Sequence, residues 1–279
     1  MTAIRMATLN AAECFDLKDR GAIAPGYRGD VVLLDDLKDF HVNRVFVEGV
    51  LVAEEGKYLP EIKKCDISSV KGSVIVKDFS KEKFKMNLKS NKVNVIKILP
   101  GGVVTAKDTA EIELDANGEF VRNPEVDLVK VAVVERHQGT GNVACGFLKG
   151  YGIKEGAVAL SVAHDSHNII VVGVNDEEME FAVNSLIEQE GGIVLVKEGK
   201  VIESMPMPIA GLMSDQSGEW VDEKLTAIHA KAYEELGIAG DVEPVMTLCF
   251  MSLAVIPEIK LTDMGLFDVT TFSFIPVEV

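Results

Sequence analysis

The chain has 279 residues, with 28 Lys and Arg against 44 Asp and Glu, a formal net charge of −16. Its 47% hydrophobic and 26% charged content is a globular composition that can bury a core, which excludes a wholly disordered chain. Such an excess of negative charge repels phosphate backbones and anionic lipid, so neither nucleic acid nor a membrane surface is expected as a partner.

The first residues carry Arg5 and lack the apolar run and cleavage site of a secretory signal. The longest apolar stretch, residues 245–256, is too short for the roughly 20 residues that span a bilayer and reads as core. Four widely spaced cysteines (Cys14, Cys65, Cys145, Cys249) form no CxxC pair and are expected as buried thiols in a reducing cytoplasm.

Ile4, Ala7, Ala11 and Phe15 form a weak helical stripe. A turn-rich run, residues 21–30, then feeds a short apolar strand at 31–34, and residues 44–53 read as a strand pair around Glu48-Gly49. Polar residues and Pro60 follow, which places a domain boundary near residue 65 and divides the chain into 1–65 and 66–279.

In the second part, residues 74–76, 93–96, 103–104 and 112–114 read as strands, with a turn at Asp115-Ala116-Asn117-Gly118. Apolar strands are expected at 129–134, 158–163 and 169–172. Asn175 or Asp176 caps a helix reaching Glu190, with Met179, Val183, Leu186 and Ile187 on one face. A hairpin turns at Glu198-Gly199, and a second helix, residues 219–236, places Trp220, Leu225, Ile228 and Ala232 along one stripe. Met205-Pro206-Met207-Pro208 is expected at an edge or interface. Met246, Met251, Phe250, Phe272 and Phe274 are expected in the core. Without strict βαβ alternation the class is α+β: a partial β-sandwich segment followed by a mixed α/β carboxy-terminal domain.

Chemistry-bearing residues gather at strand ends. Glu135-Arg136-His137 closes one strand, and His164-Asp165-Ser166-His167 follows another. Charged and polar side chains at a strand end face outward, so Arg136, His137, His164, Asp165 and His167 are candidates to line a site. A structural polar network is the competing reading. His164 and His167 would share a metal only on a loop or helical turn, because positions three apart on a strand face opposite sides. Gly139-Thr140-Gly141-Asn142 offers backbone N–H groups to an anion but lacks the lysine of a P-loop. His41 and His229 receive no role.

Several motifs carry a family resemblance. Ala7-Thr8-Leu9-Asn10-Ala11-Ala12, Pro25-Gly26 with Gly29-Asp30, and Val45-Phe46-Val47-Glu48-Gly49 resemble the end of an amidohydrolase, its last barrel helix and sandwich strands. Ala11 and Gly29 stand where proline and alanine are usual. Glu135 to Asn142, Ser161 to Asn168, Pro208 to Asp215 and Val255 to Asp263 resemble the carboxy-terminal half of adenine deaminase. The resemblance implies cytoplasmic purine salvage: adenine and water give hypoxanthine and ammonia. A hydroxide activated by a divalent metal (Mn or Fe) attacks C6 while a carboxylate moves protons.

In that family the metal lies in a barrel of roughly 250 residues, ligated by a His-x-His pair, further histidines and an Asp. This chain has five histidines and no His-x-His. No metal is therefore expected on this chain alone; the barrel is supplied by another chain or lost by truncation, and a homo-oligomer is expected. The alternative is a stand-alone, non-catalytic purine-binding or scaffold protein.

Overall fold

The computed structural model describes all 279 residues, which separate into two compact units, Met1–Asp66 and Ile67–Val279. The first unit begins with a helical run: α1 (Thr2–Arg5), a π-helical turn over Met6–Asn10, and α2 (Ala11–Cys14). Four strands follow as an antiparallel meander in sequence order: β1 (Val31–Leu34), β2 (Val42–Val47), β3 (Val50–Glu54) and β4 (Lys57–Tyr58). Gly29 is required at the entry to β1, because a Cβ there would sit 2.8 Å from the Gly49 nitrogen. Asp30 accepts the Glu48 N–H at 2.8 Å and so ties that entry to the β2–β3 turn. Ala12 is the one buried residue of this unit, and Val32, Val50 and Ile23 are exposed.

The second unit is built on an eight-stranded sheet. Its strands are β5 (Lys92–Ile98), β6 (Thr105–Glu111), β9 (Leu128–Val134), β10 (Val143–Lys149), β11 (Ala157–Leu160), β12 (Ile169–Gly173), β13 (Gly192–Lys197) and β14 (Lys200–Pro206), after a small hairpin of β7 (Glu113–Leu114) and β8 (Phe120–Val121). The order is β14-β13-β11-β12-β9-β10-β5-β6, antiparallel except for the parallel pair β5 and β10. β9 is buried along its whole length. Val129, Val131 and Val133 face one core and Ala132 and Val134 the other, so the strand reads as a continuous apolar run because both sheet faces are covered.

α3 (Asp176–Glu188) covers one face through Met179, Ala182, Val183 and Leu186. Asn175 caps it as expected, its side chain accepting the Glu178 N–H at 2.8 Å. α4 (Gly218–Glu234) covers the other face with Ile228 and Ala232, alongside α5 (Met246–Cys249) and a three-stranded sheet of β15 (Ile259–Thr262), β16 (Gly265–Asp268) and β17 (Ser273–Phe274). The mixed sheets and helices are an α+β architecture.

Some expected elements differ. Residues 74–76 form no strand: Val74 and Val76 pack on the α3 core, but the Ile75 N–H finds its acceptor in a single carbonyl, that of Arg136, at 2.8 Å. Residues 103–104 precede a strand, which begins at Thr105. Met246, Phe272 and Phe274 are exposed rather than core, whereas Met251 is buried. Cys14 and Cys65 are exposed thiols; Cys249 is buried and Cys145 half-buried. No helix is long and apolar enough to cross a membrane.

Candidate functional site

Strand register brings the candidate residues together. Val134, the last residue of β9, pairs with Ile169 at the start of β12 on one side and Val143 at the start of β10 on the other. The 135–142 loop and the 161–168 loop therefore leave the same end of the sheet. Residues 190–192 and 207–213 join them there, since Gly192 pairs with Pro206.

Glu135 organises the first loop. Its buried carboxylate accepts N–H groups from His137 (2.5 Å), Gln138 (2.7 Å) and Thr140 (2.9 Å), and the Thr140 hydroxyl at 3.0 Å. Burial opposes the charge, but these four donors outweigh it and hold the carboxyl down to about 2. Within the glycine-rich run Thr140 gives its N–H to this carboxylate and Asn142 gives its N–H to the Thr140 hydroxyl, and the negative charge of Glu135 in the same loop opposes an external anion there.

Arg136 is 1% exposed. Its Nε donates to the His167 carbonyl at 2.5 Å and one terminal nitrogen to the Ala210 carbonyl at 3.3 Å. Gly211 is required beside it, because a Cβ there would lie 2.7 Å from the guanidinium. Burial pushes the guanidinium pKa down, and the neighbouring Glu135 charge opposes that. The arginine therefore fixes the 161–168 loop from below, holding His167 in a left-handed conformation (φ +52°).

Above it lie the imidazoles. His164 and His167 stand edge to face, ring centres 5.2 Å apart, and His164 lies 4.7 Å from the Phe250 ring. The His164 N–H donates to the Cys249 carbonyl, and the Ser252 hydroxyl to the His164 carbonyl. His167 keeps a buried Nδ1 without a partner; burial, then the His164 and Arg136 charges, lower its pKa and favour the neutral ring. His137 is exposed, its Nε2 donating to the Ser166 carbonyl at 2.7 Å, and Asp165 is exposed beside it. All five sequence candidates meet at this sheet end, with Arg136 beneath the surface and the other four at or near it.

Residues without a role in the sequence reading support the cluster. Asn168 accepts the Arg136 backbone N–H at 3.3 Å and donates to Asp263 at 3.2 Å. Ser161 bridges the Gly192 N–H and the Gly211 carbonyl. Each sits inside a quoted motif, but its partner is distant in sequence.

The chemistry open to this surface is limited. Ser161 is buried and doubly engaged, and burial pushes the Cys249 thiol up to about 12, so neither serves as a nucleophile. Donor atoms of His137, His164, Asp165 and His167 do not converge as a metal shell needs; the one group of three or more that does is Asp35, His41 and Glu55 in the first unit. The cluster does not fit a catalytic metal. Imidazoles, a phenyl ring and a carboxylate suit a planar, hydrogen-bonding heterocycle.

Residues 102–273 match the family model of the adenine deaminase C-terminal domain, and residues 1–52 match the amidohydrolase family. "Adenine deaminase 2" of Desulfotalea psychrophila is 67% identical over 99% of this chain and 48% of its own length. "Adenine deaminase" of Ligilactobacillus salivarius is 48% identical over 100% of this chain and 48% of its own length. The chain spans about half the length of the curated relatives it matches. It belongs to the adenine deaminase family, within the amidohydrolases, and corresponds to the carboxy-terminal part of its relatives.

Proposed function

We propose that this chain forms the carboxy-terminal half of a working adenine deaminase, in which adenine and water give hypoxanthine and ammonia in purine salvage. A divalent metal, Mn or Fe, would supply the activated hydroxide from residues outside this chain, since the sheet-end histidines and carboxylates form no converging group of three donor atoms. The first unit suits such an arrangement. Its helical run and β1 frame an apolar groove of about 920 Å³ lined by Ile4, Ala7, Phe15, Ile23 and Val32, an area that further amidohydrolase chain would cover.

The observation that carries the reading is the convergence of His137, His164, Asp165 and His167 at one sheet end on a buried Arg136 platform, within the region that matches the family model. In this role His164, backed by the Phe250 ring, presents its edge to the purine. Asp165 and His137 offer exposed hydrogen-bonding groups, and the Arg136 contact keeps the loop in place.

The test joins the amino-terminal half of the Desulfotalea psychrophila relative to this chain. His164→Ala in that fusion is expected to raise the adenine KM about tenfold, or roughly 1.4 kcal/mol of lost binding. A variant that changes only thermal stability would exclude His164 from the purine site. A fusion that folds and never deaminates adenine would overturn the whole reading and favour a non-catalytic purine-binding or scaffold role.

A further inference from the structure

We propose that Asp35, His41 and Glu55 form a divalent-metal site in the first unit, best matched to zinc and independent of the deaminase reading. The three residues come from different strands of one sheet end: Asp35 follows β1, His41 precedes β2 and Glu55 follows β3. Ladder geometry fixes them there. Leu34 pairs with Val42 and Arg44 with Glu54, the Asp35 N–H donates to the His41 carbonyl at 3.0 Å, and the Glu55 N–H to the Asn43 carbonyl at 2.9 Å.

The spacing leaves room for one ion shared by the three groups. Both carboxylates face the same imidazole nitrogen: His41 Nε2 lies 3.7 Å from Asp35 Oδ2 and 3.5 Å from Glu55 Oε2. Both distances exceed an N–H···O bond, and one Nε2 has a single position with which to serve two acceptors. Two ligands on one tetrahedral ion stand about 3.3–3.6 Å apart for bonds of about 2.0–2.2 Å; the Glu55 oxygen is within that range and the Asp35 oxygen, at 3.7 Å, needs a small side-chain rotation to reach it. All three donor atoms lie within 4.8 Å of one another.

One imidazole with two carboxylates is a mixed nitrogen and oxygen set that zinc accepts, and it places the charge of the ion between two like-charged groups. The Asn43 side chain holds Glu55 Oε1 at 2.8 Å, which orients that carboxylate and leaves Oε2 to the ion, as an outer hydrogen bond does at metal sites. The side chains are half exposed, so the remaining coordination positions fall to water and the ion enters directly from solvent. Bound zinc would fasten the ends of β1, β2 and β3 and stabilise the sparsely buried first unit by linkage.

The experiment is calorimetric titration of the chelator-treated chain with zinc chloride at pH 7.5, for the natural sequence, His41→Ala, Glu55→Gln and His164→Ala/His167→Ala. One saturable zinc per chain is expected, weakened at least tenfold by His41→Ala and by Glu55→Gln and retained in the His164/His167 double variant. Circular dichroism identifies folded variants, and the exposed positions of His41 and Glu55 favour folding. Absence of saturable zinc binding, or equal affinity in folded His41→Ala, would overturn the site. Loss in the His164/His167 variant instead would move the ion to the other unit and equally contradict it.

Discussion

The two units solve the burial problem differently. In Met1–Asp66 four strands and a helical run bury Ala12 alone, whereas in Ile67–Val279 a central sheet is covered on both faces and strands such as β9 and β12 are buried throughout. Apolar strands are present in both, so composition does not make the difference. What differs is the second layer: α3 and α4 cover the large sheet, while the first unit retains an open apolar groove. A strand's hydrophobic pattern thus states the need for a cover without providing it.

Truncations should sharpen this contrast most. Leu160→Ala, at a fully buried site between β12 and β13, is expected to cost about 2–5 kcal/mol, whereas Leu33→Ala, on a half-open strand, should cost less than about 1 kcal/mol. Urea denaturation of the two variants measures both. Glycines repeat the comparison. Gly156→Ala would place its Cβ 1.9 Å from the Val196 carbonyl oxygen at φ +65°, for an expected loss above about 3 kcal/mol. Gly56→Ala, at φ +75° with open space around it, should lose about 1 kcal/mol.

Two buried charges provide pH-resolved effects. Glu135 has a folded-state pKa of about 2, below its ordinary 4.5. Its contribution, of the order of 3 kcal/mol, is therefore fully present above pH 4.5 and fades as pH falls towards 2. Stability of the natural chain and Glu135→Gln, followed from pH 6 to 2, should converge over that interval. Lys260 has the opposite character. It is fully buried with one acceptor, the Val103 carbonyl at 3.0 Å, and burial lowers its pKa to about 8. Its protonated form is disfavoured in the folded state, so stability should rise between pH 8 and 10.5. Lys260→Met should be neutral or stabilising at pH 7 and should abolish that rise.

Much of the second unit is legible in the sequence because local signals agree. Asn175 before an amphipathic run, Glu198-Gly199 between apolar stretches, and the unbroken apolar β9 each specify their element. Elements decided by distant partners are not legible. β6 is charged and alternating, so its strand is set by pairing along the whole of β5. Val74 and Val76 carry strand-forming side chains but lack a neighbouring ladder. Phe272 and Phe274 are aromatic yet lie just before and on a two-residue strand, with only Phe267 as a ring partner.

The candidate site divides in the same way. Its histidines and Arg136 stand out as polar residues at strand ends, a local signal. The carboxylate of Glu135 turned back into its own loop, and Asn168 joined to Asp263, depend on contacts that spacing does not reveal.

The most direct test of the account is hypoxanthine formation from adenine, measured for the purified 279-residue chain and for its fusion to the amino-terminal half of the Desulfotalea psychrophila relative, each with added Mn²⁺ or Fe²⁺. The account predicts turnover by the fusion and none by the chain alone. Metal-dependent turnover by the chain alone would contradict it, placing a catalytic metal centre among residues whose donor atoms this structure keeps apart.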